Sequence, residues 1–332
     1  MKVATWRGHM DFTLDDAPDP KPGQGMVVVK IHTASICATD FHTAQGLLER
    51  TPPLLMGHEF SGEVVEAGAG TGRGLLNKMV TCEPTYGCGL CDVCKQGYEA
   101  ECGQMTRSPG YAQYALLPVR NAHLLPMGLD PETAALTEPV ACVASNFDQF
   151  KVPEGGTVLV IGTGVLGLAA VALAARRGAR DVIVSDLSEH RREFARKVGA
   201  TVLVDPQKTD LATLVKDLTN GRGVDVGIEA VGTPQLLADT IRLTRTRGHV
   251  QAVGLHPTKG QLPMPVHAWQ GKAITLGTTM GRGLSFKAAL AELPHLSFEG
   301  AVTSRYPLHK MAEAFKHAAS GAGIRTAIAP NG

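Results

Sequence analysis

Two textures of hydrophobic patterning divide this chain. Up to about residue 146 the apolar positions come in short runs, such as residues 26–31 and 63–66, separated by glycine and proline. That texture predicts short strands and irregular connections. From about residue 155 a regular alternation takes over. Residues 157–161 run Thr-Val-Leu-Val-Ile, the pattern of a parallel strand covered on both faces. Residues 166–177 read as a helix and 181–185 as the next strand. Ser188 caps a helix that ends near Gly199, residues 201–204 form a third strand, and Asp210 caps a helix that ends near Gly221. Residues 224–230, a helix from Pro234, residues 250–254 and residues 273–277 continue the series. Strand and helix alternating in this way predict an α/β fold with a doubly wound parallel sheet. After about residue 285 the alternation stops. The tail is expected to return to the first domain, which makes the regular half an insertion. No internal repeat or low-complexity run interrupts this order.

Charge narrows the partners. Lys and Arg number 32 against 31 Asp and Glu, a net charge of +1 without the basic surplus of a nucleic-acid binder. Hydrophobic residues at 44% and charged residues at 19% support a full core rather than disorder. Residues 158–175 carry no charge and are long enough to raise the question of a membrane span. Gly162, Gly164 and Gly167 interrupt them, and the stretch reads as a buried strand, turn and helix. The first residues lack the apolar stretch of a secretory signal, so a cytoplasmic location is expected. The 7 cysteines, an odd number partly clustered, then point to metal rather than disulfides.

Gly162-Thr163-Gly164-Val165-Leu166-Gly167 is G-x-G-x-x-G placed between a predicted strand and a predicted helix. In that context it reads as a dinucleotide-binding turn. The first glycine makes the turn, the second lets backbone approach a pyrophosphate, and the third packs helix against strand. Free N–H groups at the helix start then favour the anion. Asp186 follows the second strand, where a carboxylate binds both ribose hydroxyls of NAD and repels the 2′-phosphate of NADP. Arg191 and Arg192 nearby soften that exclusion.

Cys88-x2-Cys91-x2-Cys94-x7-Cys102 gathers four thiols in one short loop. Four thiolates suit a closed, structural tetrahedral Zn2+. Iron–sulfur proteins use a related run, but here the fourth cysteine lies too far along and no proline follows it. Cys82 and Cys142 are left over and are expected to be buried. Cys37, His58, Glu59 and Glu138 offer a second set: one thiol, one imidazole and two carboxyls. That is the makeup of a catalytic zinc site with an open position.

With these motifs in this order, the chain resembles a zinc-dependent medium-chain dehydrogenase/reductase. The resemblance rests on Gly57-His58-Glu59-x2-Gly62-x5-Gly68, the four-cysteine lobe, the glycine turn and Ile324-Arg325-Thr326, and it spans essentially the whole chain. Glu138-Pro139 and Val184-Ser185-Asp186-Leu187-Ser188 look like the polyol branch, with the sorbitol, threonine and butanediol dehydrogenases. The liver-type branch usually carries a cysteine at the place of Glu138. The resemblance implies a β-rich, GroES-like catalytic domain over residues 1–146 with a zinc lobe at 82–110. It implies a Rossmann NAD-binding domain over 147–285 and a return to the first domain over 286–332.

The same resemblance implies two zinc ions per chain and the following roles. Cys37 and His58 bind the catalytic zinc, and the sequence does not choose between Glu59 and Glu138 as its carboxylate. Asp40 orients His58, while Thr39 and His42 relay the alcohol proton. Arg325 pairs with the pyrophosphate, and Val231, Gly254, Leu255 and Thr278 lie on the nicotinamide side. The expected activity is NAD-dependent interconversion of a secondary alcohol, on a polyol, diol or sugar-like substrate, with its ketone. The expected assembly is a homodimer or homotetramer. Alternatives are an NADPH-dependent carbonyl reductase or a primary alcohol dehydrogenase of the same family. From another class comes a non-catalytic, zinc-stabilised binding protein. Residues 77–80, Asn-Lys-Met-Val, depart from the family's Gly-Asp-Arg-Val turn, and the loop after Cys102 is short.

Overall fold

The structure is a computed structural model of the chain, and it describes residues 1–70, 73–256, 263–278 and 284–332. The chain forms two compact units, Met1–Ala141 with Arg282–Gly332, and Cys142–Gly281.

The first unit is built on a seven-stranded sheet. Its spatial order is Ala122–Leu124, Met79–Cys82, Glu59–Ala67, Met26–Ser35, Arg325–Ala329 and Val302–Pro307, with Tyr114–Pro118 also paired to Met26–Ser35. The tail strand Arg325–Ala329 runs antiparallel to Met26–Ser35 and parallel to Val302–Pro307. Val27, Val29, Ile31, Phe60, Val64, Val80, Leu117 and Phe315 form the core beneath it. Each such side chain, fully buried, contributes about 1.5–3 kcal/mol. That core fixes the register between Met26–Ser35 and Glu59–Ala67, in which Ser35 faces Glu59.

The second unit is a six-stranded sheet, all of whose pairings are parallel. Its spatial order is Val202–Val204, Asp181–Ser185, Thr157–Ile161, Val224–Glu229, Thr244–Ala252 and Thr275–Thr278. By position in the sequence this is 3-2-1-4-5-6, the Rossmann order. Thr157–Ile161 is buried at every position. The uncharged stretch continues into the helix Val165–Arg176, apolar up to its last residue because nine of its residues are buried in protein. No helix among the described residues is long and apolar enough to cross a membrane. Ser188 and Asp210 both cap helices, accepting from Arg191 N and Thr213 N. The strand expected over 250–254 is instead Thr244–Ala252. Its first half, Thr-Arg-Thr-Arg-Gly-His, is too polar to read as a strand in isolation. It joins the sheet because Val224–Glu229 offers a partner ladder, with a register shift absorbing the mismatch.

Candidate active site

Cys37 stands just ahead of the helix Ala38–Ala44, where the strand Met26–Ser35 runs out. His58 and Glu59 stand where the next strand begins. Because Glu59 faces Ser35 in the ladder, the sheet brings all three side chains to one place. One ligand atom from each of Cys37, His58 and Glu59 lies within 4.8 Å of the others. His58 is 4% exposed and Glu59 is 0% exposed. Glu59 Oε1 accepts from Arg325 Nη2 at 2.9 Å, while Glu59 Oε2 is buried without a hydrogen bond among the described residues. An orphaned carboxylate oxygen beside a thiol and an imidazole fits a divalent ion of borderline softness.

The imidazole has a polar neighbour at each ring nitrogen. Its Nδ1 lies 3.3 Å from Asp40 Oδ1, and its Nε2 lies 3.3 Å from Thr39 Oγ1. Burial works against a charged His58, but Asp40 and then Cys37 outweigh it and hold the imidazole well above its usual value. Burial, together with the Glu138 carboxylate, raises Glu59 above the usual carboxylate range against the pull of Arg325. Glu138 itself is buried on the helix Thr137–Phe147 but is not part of the three-residue cluster. His42 lies on the same helix as Thr39, half-buried against Phe41 with 4.5 Å between ring centroids. Its Nδ1 is buried without a hydrogen bond among the described residues, and burial lowers its pKa.

Cys88, Cys91, Cys94 and Cys102 form a second cluster. Their sulfurs approach closely, Cys91–Cys94 at 3.4 Å, Cys91–Cys102 at 3.8 Å and Cys88–Cys94 at 4.0 Å. Zn–S bonds of 2.3 Å in a tetrahedron put sulfurs about 3.8 Å apart. Backbone N–H groups of Leu90 and Cys91 point at Cys88 Sγ, both at 3.4 Å, and lower that thiol to about 6. Burial instead pushes Cys94 up to about 12. A Cβ on Gly87 would sit 2.4 Å from Cys94 Sγ, so the backbone there closes tightly on the sulfurs. Glu99 ties the lobe down, accepting from Gly87 N at 2.9 Å and Arg120 Nη2 at 3.1 Å.

In the second unit, parallel register lines up the strand ends. Ser185, Ile161, Glu229, Ala252 and Thr278 are successive partners. Gly162, Asp186, Val231, Gly254 and Leu255 follow those ends, and Thr278 is one of them. All therefore lie along the carboxyl edge of the sheet, where open α/β sheets bind ligands. Gly164 precedes the helix that starts at Val165 and contains Leu166 and Gly167. A Cβ on Gly167 would lie 1.9 Å from Gly162 O, a clash only glycine avoids. Asp186 Oδ2 accepts from Thr163 N at 2.7 Å, and its Oδ1 accepts from Ser188 N at 2.8 Å. The carboxylate is thus locked against the glycine turn.

Residues 23–127 match the family described as alcohol dehydrogenase GroES-like domain, and residues 165–294 match zinc-binding dehydrogenase. The sorbitol dehydrogenase of Halalkalibacterium halodurans is 31% identical over 339 residues, covering 99% of this chain and 98% of that protein. This chain belongs to the zinc-dependent medium-chain dehydrogenase family. The L-threonine 3-dehydrogenase of Pyrococcus abyssi is 38% identical over 252 residues, 72% of this chain and 71% of that one. A zinc-binding dehydrogenase of Sinorhizobium meliloti 1021, solved bound to NADP, superimposes with a TM-score of 0.89 at 28% identity, covering 99% of each chain.

Within this dehydrogenase Arg325, for which a pyrophosphate partner was expected, is tied to the candidate metal site. Its side chain is 9% exposed and donates to Glu59 Oε1 and, at 2.7 Å, to Ile36 O. The physical reason is the buried Glu59 carboxylate, which demands a cation. Of the two neighbouring arginines, Arg192 is buried and donates to Asp186 O at 2.6 Å and to Asp205 Oδ2 at 3.4 Å. Arg191 is half-buried. Sequence reasoning also passed over Glu229. Its buried carboxylate accepts from Val231 N and Gly232 N at 2.8 and 2.7 Å, shaping the turn that carries Val231. An acid ending the strand, directly after the uncharged Val226-Gly227-Ile228, was the available signal. Cys94→Ser is expected to lose the lobe's metal and open residues 82–110 to limited proteolysis, while the Cys37 cluster keeps its own. Metal analysis and protease mapping check it.

Proposed function

We propose that this chain interconverts a secondary alcohol of the polyol, vicinal diol or amino-alcohol class with its ketone, using NAD(H). The observation that carries the reading is the convergence of half-buried Cys37 with buried His58 and Glu59, with one Glu59 oxygen unpartnered among the described residues. A zinc-stabilised binding protein would need only the four-cysteine lobe and gives no account of this second cluster.

Cys37, His58 and Glu59 would hold the catalytic zinc, with Glu138 behind them as a further carboxylate. Zinc bound there supplies a Lewis acid that makes an alcohol hydroxyl more acidic. The nicotinamide supplies the hydride acceptor. The chain's own work is positioning and proton transfer. Thr39 Oγ1, beside His58 Nε2, accepts the substrate's hydroxyl proton as it gives up its own. His42, kept neutral at pH 7 by its lowered pKa, is the base that takes up the proton Thr39 releases. Asp40 holds the His58 ring. The glycine turn from Gly162 to Gly167 and the N–H groups beyond it bind the pyrophosphate. Asp186 accepts from the ribose hydroxyls, and its charge disfavours a 2′-phosphate. The Arg192 guanidinium is already committed to Asp186 O and Asp205, which leaves that charge dominant.

The test is a panel of polyols, vicinal diols, L-threonine and primary alcohols with each cofactor, read as reduced nicotinamide absorbance. Turnover of secondary alcohols with NAD preferred is the expected result; turnover of primary alcohols alone, or none with zinc bound, overturns the reading. Metal analysis is expected to give two zinc ions per chain, one for each cluster. Asp186→Asn is expected to raise the NADP-to-NAD ratio of kcat/KM by about tenfold or more. One unit charge removed at about 4 Å is worth on the order of 1–4 kcal/mol. An unchanged ratio would place cofactor choice elsewhere.

A further inference from the structure

Behind the proposed zinc ligands lies a buried phenol to which the mechanism gives no task. Tyr111 is 1% exposed. Its hydroxyl lies 2.6 Å from Asp40 Oδ2 and 3.2 Å from Ser35 O. A carboxylate and a carbonyl are acceptors only, so the hydroxyl donates. Asp40 Oδ2 also accepts from Cys37 N at 3.3 Å. With Oδ2 held from two sides the carboxylate plane cannot turn, and Oδ1 stays 3.3 Å from His58 Nδ1.

The ring of Tyr111 meets the other ligand segment. Gly57, directly before His58, has φ +89°, and a Cβ there would lie 2.8 Å from both Tyr111 N and Tyr111 Cδ1. One side chain therefore touches both the helix start at Cys37–Asp40 and the turn into His58–Glu59. Its own position is secured. Tyr111 N donates to Met56 O at 3.1 Å, Ala4 N donates to Tyr111 O at 2.8 Å, and the ring meets Phe315 edge-on at 5.9 Å.

We propose that Tyr111 is a positioning residue for the catalytic zinc site, locking Asp40 so that His58 keeps Nε2 for the metal. The proposal rests on the reading of Cys37, His58 and Glu59 as the ligands. Phenylalanine at this position would fill the same space and keep the ring contacts. It would leave Asp40 Oδ2 with the Cys37 N–H alone.

The experiment uses full-length, zinc-loaded protein as wild type, Tyr111→Phe, Asp40→Asn and the double variant. Zinc at the Cys37 cluster is titrated against a chelator, with the four-cysteine zinc as internal control. Tyr111→Phe is expected to bind about tenfold more weakly, at the lower end for partners that orient metal ligands. The double variant is expected to bind no more weakly than Asp40→Asn alone, because both changes act through one carboxylate. Wild-type affinity in Tyr111→Phe, or losses that add in full, overturns the proposal. In the unaltered protein, the Tyr111 hydroxyl proton is expected far downfield by NMR and moves as zinc fills the site. A resonance indifferent to zinc also overturns it, and that measurement needs no variant to fold. A wild type that takes no zinc beyond the lobe overturns the ligand reading and this inference with it. A wild type that binds it, with Tyr111→Phe equal, sinks this inference alone.

Discussion

Cys37→Ser is expected to lower turnover by about 10²-fold or more while the protein still folds and keeps the zinc of the four-cysteine lobe. Loss of a residue that merely orients a metal ligand already costs 10–100-fold, and here the ligand itself goes. Serine replaces a soft anionic donor with a neutral hydroxyl, so the Cys37–His58–Glu59 cluster loses one of its charges. The fold has no reason to suffer. Cys37 is half-buried, outside the hydrophobic core, at the position preceding the helix Ala38–Ala44. Serine is among the residues best suited to that position. Steady-state rates, metal content and melting on one preparation decide the matter. A variant with near-normal turnover would remove Cys37 from the site.

Arg325→Met is expected to destabilise the first unit by about 3–5 kcal/mol, the usual penalty for removing one partner of a buried ion pair. Glu59 is 0% exposed and pairs with Arg325 at 2.9 Å. In protein stripped of zinc, losing the guanidinium leaves this buried carboxylate with only the His58 imidazole to offset its charge. The pH dependence has a definite sign. Burial already raises Glu59, and losing Arg325 raises it further. The folded variant then holds a proton that the unfolded chain has released, so its stability falls as pH rises above the range where an unfolded glutamate titrates. The deficit is therefore largest at alkaline pH and shrinks toward pH 4–5, about where an unperturbed glutamate titrates. Melting as a function of pH reads this. An unchanged melting temperature with a raised KM for NAD would instead make the pyrophosphate the main partner of Arg325.

These two residues also mark the limits of reading the chain without coordinates. Cys37 was accessible because its neighbours carry the motif, with Thr39, Asp40 and His42 all within one short helix. The tie from Arg325 to Glu59 was hidden because Ile324-Arg325-Thr326 says only that a cation sits near the C-terminal end. Which anion it meets depends on Arg325–Ala329 entering the sheet beside Met26–Ser35. Tyr111 gave no signal at all, since its partners Asp40 and Gly57 are distant along the chain. The polar half of Thr244–Ala252 was invisible for a related reason, because its strand character comes from the ladder it joins.

What the sequence by itself determined is the set of features carried by contacts within a few residues. The glycine turn, the caps at Ser188 and Asp210, the four-cysteine lobe and the strand–helix alternation belong here, because turn geometry, capping and close thiol spacing are local. What only the tertiary structure decided is which carboxylate stands with Cys37 and His58, and which cation balances it. Glu59 joins that cluster because the sheet sets it opposite Ser35. That register is chosen by burial of the apolar face across two strands, a cooperative quantity that no single stretch of the chain contains.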